Sequence, residues 1–427
     1  MGPDRPVSRA AAALVALAAL TAGSLARGET QESQISALKA ELAATQGELA
    51  KTQAALDALE KKVEALGAAA PAAQPEPAQQ TARIVPVNAD NPGISFVIDG
   101  QAASNTQGDQ GAGFLLGTGE LFVSAPIDPF LRGYASMNGT TEGKFDLEEA
   151  ALVTTALPWN LTLKGGRFFA DFGRFSHWHD EQLPFVNRPD SLNRFIGGES
   201  QAEGVETSWL APSEQFFELT VGVYNSMGAA RFDDPDAFGT SSGQRSFSEL
   251  NYLVHPSTYF DLSDTLNLEL GGSYLSVPTD AKRALYGLDV TFRHQPGTSE
   301  FYQGTVVGVE WLWNSERFDG VATTTDPVTG EEFSGSGRFR RDAGYAYFES
   351  FFGRRFSLGA RFDYAENLFG PKDLTRTYSA FLTWQPSEFQ RVRFQWDDVG
   401  IAGPDDQRFT LQWTAFIGSH SHGFAAR

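Results

Sequence analysis

From residue 93 onward the chain alternates apolar and polar residues with a period of two, in one segment after another. In RVRFQWD, Val392, Phe394 and Trp396 alternate with Arg391, Arg393 and Gln395. In RFTLQWTAFI, Phe409, Leu411, Trp413, Ala415 and Ile417 alternate with Thr410, Gln412 and Thr414. RRFSLGARFDY sets Phe356, Leu358, Ala360, Phe362 and Tyr364 against Arg355, Ser357, Arg361 and Asp363. Two is the side-chain period of a β-strand. A half-buried sheet would explain any one segment. Recurrence to the C-terminal end requires an architecture that uses every strand the same way.

About sixteen segments of this kind can be marked. They fall near 94–103, 113–124, 129–139, 145–157, 160–168, 203–210, 215–225, 247–254, 265–277, 282–293, 301–314, 343–351, 354–364, 376–385, 389–396 and 407–417. Many have the length a tilted bilayer-spanning strand needs. Their connections alternate. APIDP, LPWN, LAPSEQ, FFGRR and WQPSEF are short, and long stretches follow Arg167, Tyr224 and Asn314. Short turns on one rim and long loops on the other describe an up-and-down transmembrane barrel, not a sandwich. Trp159, Trp209, Trp313, Trp384 and Trp396 sit near strand ends, where interfacial aromatics belong. A sheet that spans lipid must close, because lipid cannot satisfy an open edge. The expected fold for residues 93–427 is therefore an all-β transmembrane barrel of antiparallel strands.

The first 92 residues differ in character. Arg5 and Arg9 precede an Ala/Leu run, and Ser24-Leu25-Ala26 has the spacing of a cleavage site, so residues 1–26 read as a secretory signal peptide. The run is too short for a comfortable transmembrane helix. Across residues 31–66, Ile35, Leu42, Leu49, Leu56 and Val63 recur in heptads, with Leu38, Thr45, Thr52, Leu59 and Leu66 at the matching positions. That pattern predicts an α-helical coiled coil about 50 Å long, its seam weakened by the two threonines. A lone amphipathic helix is the competing reading. Residues 67–92, rich in Ala, Pro and Gln, read as an extended linker. The formal charge of −20 disfavours a nucleic-acid partner. The absence of Cys rules out a disulfide framework.

NPGISFVIDG, LKGGRFFADFG and the closing RFTLQWTAFIGSHSHGF, placed after a coiled coil and an Ala/Pro linker, resemble a Gram-negative outer-membrane porin. The likeness extends to the phosphate-selective-porin-like group and to coiled-coil-bearing outer-membrane proteins described as zinc-regulated. It implies a bacterial outer-membrane location with the coiled coil in the periplasm, a homotrimer, and passive diffusion of small polar solutes or ions. Porins usually end on an aromatic residue, whereas Phe424 is followed here by Ala425, Ala426 and Arg427. Small residues on the polar faces (Gly165, Gly166, Gly271, Gly359, Ser273) leave room for an open channel.

With the N-terminus periplasmic, FADFGRFSHWHDEQLPFVNRPDSLNRFIGGES is the third outer loop. In porins that loop folds into the lumen and narrows it. The resemblance makes Arg167, Asp171, Arg174, Asp180, Glu181, Arg188 and Arg194 the fixed charges of a constriction. Lys164, Arg361, Arg391 and Arg393 would form a basic pore wall facing an acidic loop. His177 and His179, with Asp180 and Glu181, offer ligands suited to zinc, and His420 and His422 form a similar HxH pair, but no second cluster fixes a third ligand. No HExxH is present, and no GxSxG or Gly-rich phosphate loop followed by a helix stands out, so neither an enzyme nor a cofactor is expected. Residues 67–93 are too short for the plug of a gated transporter. A second reading is structural: a barrel whose coiled coil tethers the membrane to the cell wall. A filled interior would favour the anchor and an open one the channel.

Overall fold

The computed structural model describes residues 91–106, 111–139, 145–228, 246–278, 282–296, 303–325, 332–368, 374–400 and 405–418, together with Lys39 and Lys51. The chain divides into two compact units, Met1–Ile84 and Val85–Arg427. In the first, Lys39 and Lys51 are helical. The signal peptide, the coiled coil and the linker otherwise lie outside the described residues.

The second unit is a closed barrel of sixteen antiparallel strands, each bonded to its sequence neighbours. The strands are β1 (Gly93–Asn105), β2 (Gly111–Asp128), β3 (Leu131–Gly139), β4 (Phe145–Thr154), β5 (Leu161–Phe169), β6 (Gln201–Leu210), β7 (Phe216–Met227) and β8 (Asn251–Ser263). They continue as β9 (Leu266–Val277), β10 (Arg283–His294), β11 (Gln303–Thr325), β12 (Glu332–Phe352), β13 (Phe356–Glu366), β14 (Leu374–Ser387), β15 (Gln390–Gly400) and β16 (Asp406–Gly418). β16 closes on β1, with Val97 opposite Phe416 and Asp99 opposite Thr414.

The alternation in sequence becomes an inside and an outside. On β14, Thr375, Thr377, Ser379, Phe381 and Thr383 are buried, while Tyr378, Leu382 and Trp384 are exposed. On β15, Arg391, Arg393 and Gln395 point inward and Phe394 outward. The outward faces carry Leu152, Val205, Leu288, Val309, Leu358 and Leu411, an apolar belt of the kind lipid requires. Exposed aromatics ring the short-turn rim: Phe130, Trp159, Phe216, Phe352, Phe356, Trp384 and Phe389. Phe356 and Trp384 stack there with centroids 6.5 Å apart. Tyr274 and Tyr286 pair near the opposite rim, 5.0 Å apart.

One pair of strands departs from expectation. The sequence suggests a long loop after Asn314, yet β11 and β12 keep pairing out to Thr325 and Glu332, with a register shift between Phe318 and Ala322. Pairing there needs no apolar–polar alternation, so the extension carries no periodic signal.

Candidate functional site: a loop folded into the barrel

The connection 170–200 runs from β5 to β6 and turns inward. It contains a single 3-10 turn at Asp180–Gln182 and a short helix, α1 (Asp190–Phe195), entered through Pro189. Gly173 starts the turn inward. Its φ is +58°, and a Cβ there would collide with the Glu310 carboxylate.

Aromatic residues seat the loop. Phe172, Phe175, Leu183, Phe185, Leu192 and Phe195 are each no more than 1% exposed. Phe175 lies 5.8 Å from Tyr345 and 5.4 Å from Tyr347. Phe185 packs edge-on against Phe175, Tyr347 and Phe381 at 5.5, 5.8 and 6.2 Å. Burial of such rings contributes roughly 1.5–3 kcal/mol each. The receiving wall belongs to β12 and β14, with Gly359 on β13 leaving the space that Phe381 occupies.

Irregular backbone at membrane depth needs hydrogen-bond partners, and the wall supplies them. Arg391 Nη2 donates to the Glu181 carbonyl at 2.6 Å, and Arg393 Nη2 to the Leu183 carbonyl at 2.9 Å. Arg361 Nη1 donates to the Asn187 carbonyl at 2.6 Å and stands 4.3 Å over the Phe185 ring. The Val186 amide donates to Gln395 at 2.8 Å. Arg283 donates to the Phe195 carbonyl.

This placement changes the reading of the basic wall. Arg361, Arg391 and Arg393 do not face the loop across open space. They are covered by it: each donates to a loop carbonyl, and Arg361 also pairs with Asp363 at 2.6 Å. Lys164 borders a cavity, where it pairs with Glu206 at 2.6 Å.

The acid and base residues of the loop also separate into groups. Arg174 is buried, pairs with Glu269 on β9 at 2.8 Å, and lies over Phe175 and Trp178. Arg188 ties the loop to itself, donating to the carbonyls of Phe175 and Trp178 and to Asp180. Arg194 donates to Asn367 and Thr375, and Thr377 to Asp190. Arg167 forms a partly exposed pair with Glu203 at 3.4 Å. Asp171 accepts from Thr220 at 2.9 Å and borders the cavity.

Two adjoining cavities lie between the loop and the wall of β3–β7. A cavity of about 290 Å³ is lined by Tyr134, Glu149, Lys164, Asp171, His177, Glu206 and Glu218, among others. A second, of about 240 Å³, is lined by Arg132, Val153, Thr162 and neighbours toward the short-turn rim. The two share Tyr134, Lys164, Glu206 and Ser208, so they adjoin. Sequence reasoning missed Glu206, Glu218, Tyr134 and Arg132. Their inward parity on the expected strands was the available signal.

The HxH pair at 177 and 179 does not chelate jointly. His177 stands 3.7 Å from Asp171, and its Nε2 accepts from Trp178 at 3.1 Å. His179 is buried among wall carboxylates: Nε2 is 3.0 Å from Glu149, and Nδ1 is 3.4 Å from Glu120 and 3.7 Å from Glu148. Burial opposes its charge, but Glu120, Glu148 and Glu149 hold its pKa well above the usual imidazole value. Burial pushes the nearby Glu181 carboxyl up to about 8. His420 and His422 lie outside the described residues.

No protein-family model matches the chain. An uncharacterized protein of Aquifex aeolicus (strain VF5) is 28% identical over 353 residues, 73% of this chain and 70% of that protein. Among solved structures, an anion-selective porin from Comamonas acidovorans is similar with a TM-score of 0.51 at 10% identity, over 76% of this chain and 99% of that one. OmpT of Vibrio cholerae in a trimer form gives a TM-score of 0.48 at 9% identity, over 76% and 99% of the two chains. Residues 93–418 thus have the fold of an outer-membrane porin barrel.

Proposed function

We propose that this chain is an outer-membrane porin, a passive diffusion channel whose passage runs between the inward loop 170–200 and the wall of β3–β7. The observation that carries the reading is the pair of adjoining cavities beside the loop. The loop is fastened to β11–β15 and also reaches the opposite wall through Asp171 and His179, and both cavities remain between it and β3–β7. Residues 31–66 would sit in the periplasm and hold three barrels together. An anchoring role through the cell wall is the second reading, and the two cavities speak against it.

The lining favours small cations. Glu149, Asp171, Glu206 and Glu218 border the larger cavity, and Lys164 is the Lys or Arg among its lining residues, already paired with Glu206. The guanidinium groups that would attract anions are held under the loop. Local fixed charge of this kind sets ion preference. The anion selectivity in the name of the Comamonas protein is not carried over, since the likeness is one of fold.

Purified protein in a planar bilayer across a KCl gradient tests this. The expected result is stepwise conductance with a reversal potential of cation-preferring sign, moved toward anions by Glu218→Gln. Absence of any conductance from folded barrels would refute the channel. Conductance preferring chloride would refute the cation reading.

A further inference from the structure

We propose that Glu120, His179 and Glu181 bind a divalent transition-metal cation, zinc being the simplest probe, which joins the inward loop to the barrel wall. One ligand atom from each residue lies within 4.8 Å of the other two. All three residues are buried, at 1, 4 and 2% exposure. Ligands about 2.1 Å from a tetrahedral ion stand about 3.4 Å apart. A small inward movement of flexible side chains therefore closes the set.

The surroundings are built for one orientation of the carboxylates. Glu120 receives Ser136 Oγ on Oε1 at 2.7 Å and turns Oε2 toward His179. Glu149 receives the Phe169 amide and Tyr134 Oη on Oε1, at 3.0 and 3.2 Å, and likewise turns Oε2 toward the imidazole. Glu148 receives Asn138 Nδ2 on Oε1 at 2.9 Å, while its Oε2 faces His179 and also meets Ser136. In Glu120 and Glu149, outer donors hold one oxygen and the other is aimed inward. For Glu120 this is the arrangement by which an outer group orients a metal ligand.

A feature of β4 delivers two of these carboxylates together. Strict alternation would send one of Glu148 and Glu149 to the lipid face. The register between β3 and β4 instead shifts between Ser136 and Met137, so Ser136 pairs with Glu149, Met137 with Leu147, and Glu148 is the extra residue. Such a bulge re-aims a side chain. Both carboxylates then converge on His179.

Glu120, Glu148 and Glu149 all face the one His179 ring, so a single imidazole proton offsets their buried charge only in part. A divalent ion replaces that proton and supplies two charges, with an imidazole nitrogen and carboxylate oxygens suited to zinc or manganese. The 290 Å³ cavity is bordered by Glu149 and His179, which gives an ion a way in. His179 and Glu181 come from the loop and Glu120 from β2, so the bound ion would fasten the loop next to the passage. The proposal does not depend on the channel reading.

The full-length protein in detergent, stripped with a chelator and dialysed, is titrated with zinc chloride by calorimetry and assayed for bound metal. One equivalent per chain is expected in the wild type. Glu120→Gln and His179→Gln should each weaken it at least about 100-fold, and Ser136→Ala about 10–100-fold. His177→Gln and the double variant His420→Gln/His422→Gln should keep it. Resistance of the barrel to unfolding in detergent before heating confirms that each variant is folded. No saturable zinc in folded wild-type protein would overturn the proposal, leaving a protonated ion cluster. So would unchanged binding in folded Glu120→Gln and His179→Gln, or its loss in the His420/His422 variant.

Discussion

Phe185→Ala isolates what holds the loop inside the barrel. Phe185 is fully buried, touches three aromatic rings, and lies under the Arg361 guanidinium. It belongs to none of the sixteen strands, so the barrel ladder does not depend on it. Truncating a buried Phe costs about 3–5 kcal/mol. Taking the lower figure, and about 1.4 kcal/mol per tenfold, the docked-to-undocked ratio falls about 100-fold. Hydrogen exchange reads this directly, because the Val186 amide is protected by Gln395 across the loop–wall contact. Exchange at Val186 should quicken about 100-fold, while amides of β14 and β15 keep their protection. Single-channel records of the same variant should show excursions to larger conductance. Phe185→Leu, which keeps most of the apolar volume, should lie between the two. If Val186 exchange and conductance both match wild type in a folded barrel, the aromatic seat does not position the loop.

Three other outcomes are expected. Arg393→Met keeps the apolar stem but removes the charged donor to the Leu183 carbonyl, worth about 1.5–3 kcal/mol, and should make loop 170–200 more susceptible to limited proteolysis. Leu411→Arg puts a cation on the outward face of β16 and should destabilise the folded barrel in lipid by about 2–4 kcal/mol, read by urea titration in vesicles. Removing residues 31–66 should convert detergent-solubilised trimers to monomers, measured by light scattering; monomers with and without the segment would refute a coiled-coil trimer.

The sequence alone determined the barrel, because every membrane strand must present an apolar face outward and spend its polar face inward. That requirement repeats along Val392–Trp396, Phe409–Ile417 and Phe356–Tyr364, so strand number and facing could be counted off. It failed at the ends of β11 and β12, which keep pairing without that alternation. It also could not assign the inward residues to partners. Arg361, Arg391 and Arg393 have the parity of a pore wall, and only the tertiary structure shows loop carbonyls on their guanidinium groups. The bulge that turns Glu148 inward was foreshadowed by two adjacent carboxylates in a membrane strand, one of which could not face lipid at low cost. The meeting of Glu120, Glu149 and His179 left no trace in spacing. Those residues come from two wall strands and an irregular loop, and local periodicity carries no information about which inward positions a folded loop will touch.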